Sequence, residues 1–251
     1  MESRLHFEIS AQPNNTTCGP TCLHAVLAYH GDQQTLTDVI DGVPSLEHGG
    51  TLAVLLGNYA LSQGYEAILY TYNLIVFDPS WFRPGAPLLA DRLRAQMQAK
   101  TKPKLRVASQ AYLEFLERGG SIRMEDMTPA LIRRYLKRSC PILVGLSSTY
   151  LYNERRERDD GQQDDISGKP QGHFVVLCGY DSDRRTVLVA DPLLPNPLAK
   201  NEQKYEVDLD RVMCAIMLGI VTYDGNLLVI RPPSGGGLTG KSGLEPPSSM
   251  R

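Results

Sequence analysis

Gln12 stands six positions ahead of Cys18 in the stretch Gln12-Pro-Asn-Asn-Thr-Thr-Cys18-Gly19-Pro20. A thiol nucleophile that works with a donor for a developing oxyanion requires such a layout. Cys22, Leu23, Val26, Leu27 and Tyr29 recur at helical intervals and Gly31 comes next as a stop, so the spacing predicts a helix over residues 18–30. Thr17 is its N-cap candidate, and Pro20 falls in the first turn, where a missing N–H costs little. Unpaired N–H groups and the positive end of the helix dipole favour an anion at that end. Cys18 is therefore the candidate nucleophile.

A base must come from one of five histidines. His6 lies in an N-terminal strand-like run, His24 and His30 ride on the expected helix, and His48 sits in a glycine-rich turn. His173 differs, because it heads the apolar run His173-Phe-Val-Val-Leu-Cys178, which a polar turn joins to Thr186-Val-Leu-Val-Ala-Asp191. This reads as a β-hairpin. With the turn centred on Ser182, His173 and Asp191 each lie nine residues away and face each other. Directly opposed side chains have Cβ atoms about 5 Å apart on one sheet face. Asp191 would then orient the imidazole, held extended by Pro192, with Asp181 and Asp183 of the turn as the alternative partners. The Gln12 amide beside the Cys18 N–H would supply the oxyanion donors.

The order Gln, Cys, His, Asp and its local sequences resemble papain-like cysteine peptidases, and more closely the bacteriocin-processing group that cleaves leader peptides after a double glycine. The resemblance rests on Gln12 to Gly19, the helix that ends at Gly31, Gly50-Thr-Leu-Ala-Val-Leu-Leu with Gly64-Tyr-Glu-Ala, Gly172-His173-Phe-Val-Val and Asp191-Pro192. It implies Cys18 as nucleophile, His173 as general base and acid, Asp191 as orienter and Gln12 as oxyanion donor. Three departures stand beside it. Thr17 occupies the place where that group usually has an aspartate, 155 positions separate Cys18 from His173, and no transporter segment accompanies the peptidase-like part. A stand-alone relative with an inserted region is expected.

The composition is that of an ordinary globular enzyme: 251 residues, 42% hydrophobic, with a formal charge of −2 that gives no reason to expect nucleic acid as a partner. The longest apolar runs reach about half of the ~20 residues a membrane span requires. The start lacks a secretory signal, and five scattered cysteines form no disulfide framework, so a cytoplasmic setting is expected. Cys22 one turn beyond Cys18 lacks a second paired motif and reads as core rather than zinc ligand. No cofactor or metal is implied.

The pattern gives an α+β fold. Helices are expected near 36–40, 51–62, 88–100, 108–117 and 129–137, and strands near 65–72, 141–146, 216–223 and 226–230, besides the hairpin. An N-terminal helical part that carries Cys18 would face a C-terminal antiparallel sheet that carries His173 and Asp191, the papain-like arrangement. One peptidase domain is expected over residues 1–231, with a helical insertion around 74–125 and a disordered tail over 232–251. The charged stretch 150–169 is a solvated loop or a lid in which Tyr150 or Tyr152 touches substrate. The chemistry points to a thiol hydrolase of a peptide or protein amide. Acyl or peptidyl transfer is the alternative, since phytochelatin synthase has a similar Cys-Gly-Pro-Thr start, and a non-catalytic peptide-binding module is another.

Overall fold

In a computed structural model that describes residues 2–47 and 49–233, the chain folds as β1 (Glu2–Arg4), α1 (Cys18–Tyr29), α2 (Leu36–Gly42), α3 (Ala53–Ser62), β2 (Glu66–Thr71), α4 (Leu89–Ala99), α5 (Pro103–Glu117), β3 (Ser121–Arg123), α6 (Pro129–Leu136), β4 (Ile142–Ser147), α7 (Ser148–Tyr152), β5 (Gly172–Asp181), β6 (Thr186–Ala190), β7 (Lys204–Asp208), α8 (Leu209–Leu218) and β8 (Asn226–Arg231). Single 3-10 turns occupy Pro79–Phe82 and Gly219–Thr222. His48 and all but the first two residues of the expected tail lie outside the described residues.

The strands form one sheet in the order β3-β2-β8-β4-β5-β6-β7, with β1 added to the far end of β5. The β2–β3 pair is parallel and the others are antiparallel. The central strands are apolar on both faces, so helices must cover both. On one face Leu69, Leu143, Phe174, Val176 and Leu228 meet Leu23 and Leu27 of α1, Leu56 of α3 and Phe115 of α5. On the other, Tyr70, Val144, Val175 and Val189 meet Leu131 of α6, Leu151 of α7 and Ile216 of α8. The sheet is thus not confined to the C-terminal half, because Ala67 to Tyr70 point alternately into both cores. The stretch 74–125 is built into the same body, with Leu93, Leu105 and Phe115 in the core that holds α1.

Two expectations need correction. Residues 216–223 are not a strand but the end of α8 and the turn after it. Asp208 caps that helix by accepting from the Asp210 and Arg211 N–H groups, and Leu209, Val212, Ala215 and Ile216 form its buried stripe. The β-branched Ile220 and Val221 suggest a strand, and burial of the helical stripe overrides that local preference. The hairpin register also differs. Val176 pairs with Ala190 and Leu177 with Val189, and after a bulge at Cys178 the ladder resumes with Gly179 opposite Leu188 and Asp181 opposite Thr186. The turn centre lies beyond Ser182, because Asp181 folds the turn by accepting from the Asp183 and Arg184 N–H groups while Arg185 takes a positive φ. Extending the first register sets Asp191 opposite Val175, not His173.

Candidate active site

Cys18 is the first residue of α1, and its neighbours Gly19 and Cys22 pin that helix end to the sheet. A Cβ on Gly19 would lie 2.7 Å from the Thr51 side chain and 3.1 Å from the Phe174 ring, so only glycine allows this approach. Cys22 donates from its thiol to the Phe174 carbonyl at 3.2 Å and is fully buried, which makes it core as expected. The first two turns of α1 therefore rest on the strand residue next to His173. Thr17 occupies the N-cap position, but its hydroxyl donates back to the Asn14 carbonyl at 3.1 Å and does not cap the helix. Cys18 itself is partly exposed.

His173 is buried and donates through Nε2 to Asp191 Oδ1 at 2.9 Å. The two side chains meet as diagonal neighbours, two residues out of register on one sheet face, rather than as an opposed pair. Cys18 is near enough for its charge to act on His173. Burial disfavours the imidazolium, yet the charges of Asp191 and Cys18 and the hydrogen bond to Asp191 outweigh it and raise the His173 pKa to about 10. Asp191 is wholly buried and still sits below its ordinary pKa: desolvation opposes the charge, and His173, the Leu193 N–H and the Tyr152 hydroxyl more than offset it. Asp181, one of the alternative partners, is spent on the turn and on Arg184. His24 and His30 bond backbone carbonyls, of Gln34 and Ile230 respectively.

Gln12 is held at this end of the sheet by its backbone N–H, which donates to the Pro192 carbonyl at 2.8 Å. Its Nε2 donates to the Asn14 carbonyl at 2.9 Å, which uses one of the two amide hydrogens. Its Oε1 is buried without a partner.

Two phenols complete the acid: Tyr205, which sequence reasoning missed, and Tyr152, which it considered only for contact with substrate. The hydroxyls of Tyr152 and Tyr205 each donate to Asp191 Oδ2 at 2.7 Å, and burial together with the nearby Asp191 charge raises both phenol pKa values, which keeps them donors. Tyr205 belongs to β7, whose Lys-Tyr-Glu-Val-Asp alternation is an edge-strand signal. Tyr152 carries no signal that separates it from Tyr150, which is 39% exposed and lies under Arg211. Among the described residues no cluster of three or more potential ligands could hold a metal, and no helix is long and apolar enough to cross a membrane.

A thiol at a helix start, with an imidazole held by an aspartate on the adjoining antiparallel sheet, is the arrangement that the resemblance to papain-like cysteine peptidases implies. Residues 88–212, just under half of the chain, match the family described as Peptidase_C39 like, a likeness that supports a cysteine peptidase. The matched stretch carries His173 and Asp191, while Gln12 and Cys18 precede it. No curated protein matches the chain. Among solved structures, a double glycine motif protease from an AMS/PCAT transporter, in complex with a leader peptide, is 14% identical over 92% of this chain and 95% of its own, with a TM-score of 0.44. The peptidase domain of Streptococcus ComA, a bifunctional ABC transporter of a quorum-sensing pathway, is 14% identical over 91% and 100%, with a TM-score of 0.42. Xylellain, a cysteine protease from Xylella fastidiosa, is 16% identical over 93% and 86%, with a TM-score of 0.43. These scores fall below 0.5, and the functional reading rests on the geometry of the site and on the family match.

Proposed function

We propose that the chain hydrolyses a peptide bond through an acyl-enzyme on Cys18, and the observation that carries this is the buried His173–Asp191 pair with the Cys18 thiol near enough to act on the imidazole. The thiolate of Cys18 adds to the carbonyl carbon, and the electron pair moves to the oxygen. The oxyanion is received by the Cys18 N–H and by the Gln12 amide hydrogen not given to Asn14. His173 then passes its proton to the departing amine nitrogen as the C–N bond breaks and a thioester forms. Water attacks the thioester, gives a proton to His173, and releases the acid and the thiolate. Asp191 keeps the Nε2 hydrogen on its own side of the ring, which leaves Nδ1 for the sulfur.

A reducing cytoplasmic setting would keep this thiol available. The test is mass spectrometry after reaction with a peptidyl electrophile or iodoacetamide. Cys22, Cys140 and Cys178 are buried with raised pKa values, so the informative rival is the exposed Cys214. We expect Cys18 to react well before Cys214 and the wild type, but not Cys18→Ala, to cleave peptides. Equal labelling of Cys18 and Cys214 would overturn the assignment. An added amine recovered in the product would turn hydrolysis into acyl transfer.

A further inference from the structure

Behind the strand that carries His173 lies a second buried carboxyl group. Asp224 is 6% exposed and sits where glycines from three segments make room for it. A Cβ would lie 2.3 Å from Asp224 Oδ2 at Gly172, 3.0 Å from Oδ1 at Gly145, and 3.2 Å from the Asp224 Cβ at Gly219. Gly172 is the residue before His173, so the carboxyl group is packed against the backbone that aims the imidazole. The Thr222 hydroxyl lies 2.9 Å from Asp224 Oδ2 and 3.0 Å from the Gly219 carbonyl, but it has a single proton to give. With Asp224 protonated, the acid donates to Thr222 and Thr222 donates to Gly219, so both hydroxyl protons find an acceptor. With Asp224 ionised, Thr222 must turn to the carboxylate, and the buried charge keeps this single direct donor.

We propose that Asp224 is a positioning residue for His173: its carboxyl group props the Gly172 end of β5 and, by gaining or losing its proton, sets how firmly the imidazole holds positive charge. The inference rests on the reading of His173 as the proton carrier for Cys18. The titratable groups that face Asp224 are Lys104 and Tyr112 from α5 and His173 from β5. Lys104 reaches the Thr222 carbonyl at 3.4 Å and lies over the Tyr223 ring. Burial dominates and lifts the Asp224 pKa to about 7, against the Thr222 hydrogen bond and the two cations. The coupling through which His173 lowers the Asp224 pKa acts in both directions, so an ionised Asp224 favours the imidazolium.

Asp224→Asn keeps the shape and removes the charge. Titration of the His173 ring by NMR should show its midpoint fall by about half a pH unit or more, the size of a nearby partly screened charge. The alkaline limb of kcat/KM should move the same way. An unmoved His173 midpoint overturns the proposal. The sign for stability is opposite to that of a paired carboxylate: a raised folded pKa means stability is present below the ordinary carboxylate value and lost as pH rises through about 7. Asp224→Asn should accordingly gain Tm over the wild type at alkaline pH and not at acid pH, and a difference independent of pH also overturns the idea. Thr222→Val supplies a second variant, in which the loss of Tm should continue to higher pH and grow larger because the carboxylate has lost its donor and its folded pKa rises; a wild-type profile there counts against it. Failure of the unaltered chain to cleave any peptide would sink the peptidase reading alone, since the His173 midpoint and the Tm profiles need no substrate.

Discussion

Asp191 and Asp224 are both buried beside the start of β5, yet their surroundings drive them in opposite directions. Asp191 accepts four hydrogen bonds, from His173 Nε2 and the Leu193 N–H on one oxygen and from Tyr152 and Tyr205 on the other. Its pKa stays below the ordinary value, whereas Asp224, with Thr222 as its direct donor, is lifted to about 7. Desolvation is the largest influence at both positions. What separates them is the number of donors aimed at the carboxylate, so burial alone does not make a carboxyl group neutral. Two acids with pKa values pushed apart around one histidine give a fixed charge on one side and a switchable one on the other.

The largest test of that division is Asp191→Asn against Asp224→Asn. An asparagine at 191 can still accept from the ring N–H but removes the charge paired with the imidazolium, and a loss of turnover well beyond about tenfold is expected. Asp224→Asn should stay within about tenfold of the wild type at neutral pH, since it shifts a neighbouring charge without touching the proton path. Steady-state kcat/KM on one peptide decides it, and comparable losses for both variants would break the comparison. Gln12→Ala comes next, with kcat lowered by about 10²–10³ and the fold kept, the usual loss for one oxyanion donor. Unchanged turnover would remove Gln12 from the mechanism and leave its amide as a brace for Asn14.

Tyr152→Phe and Tyr205→Phe sharpen the comparison by making Asp191 more like Asp224. Each deletes one phenol from Oδ2, and a hydrogen bond to a charged group is worth about 1.5–3 kcal/mol. The Asp191 pKa is depressed in the folded chain, so its stabilising effect is present above the ordinary carboxylate value and is lost as pH falls through the folded one. With a donor removed the folded value rises, and acid unfolding should begin at higher pH. The two losses should not add, because both phenols serve one oxygen. Additive losses with an unmoved acid limb would show that the tyrosines only pack.

How much of this is legible in the sequence depends on how local each signal is. The place of Cys18 is local, carried by the periodicity of α1 and the stop at Gly31. The pairing of His173 with Asp191 comes from two apolar runs about a turn, and the contact survives an error in register because residues two apart share a face. The bulge at Cys178 has no signature, since a cysteine in an apolar run looks like any other core residue. Tyr205 sits in a strand too short to stand out beside the hairpin, and Tyr152 at the edge of a charged stretch. Asp224 is the least legible of all, because Tyr-Asp-Gly reads as an ordinary turn. Its burial is created by Gly145, Gly172 and Gly219, which only the fold brings together.

The smallest effect belongs to Lys104, whose ammonium is exposed and reaches the Asp224 cluster from outside. Its charge lowers the Asp224 pKa, as does the hydrogen bond from Thr222, so Lys104→Met should raise that pKa and extend the alkaline loss of Tm to higher pH. An interaction between an exposed cation and a group at this distance is weak, and a displacement of a few tenths of a pH unit, on the order of half a kcal/mol, is the reasonable size. Salt should erase it, because screening acts on the exposed partner. Thermal unfolding across pH at low and high ionic strength measures the displacement. The acid limb set by Asp191 should stay where it is, since Lys104 is not among the groups that shift Asp191. If Lys104→Met moved both limbs together, the two carboxylates would have to share one electrostatic environment, and the division of fixed and switchable charge around His173 would fail.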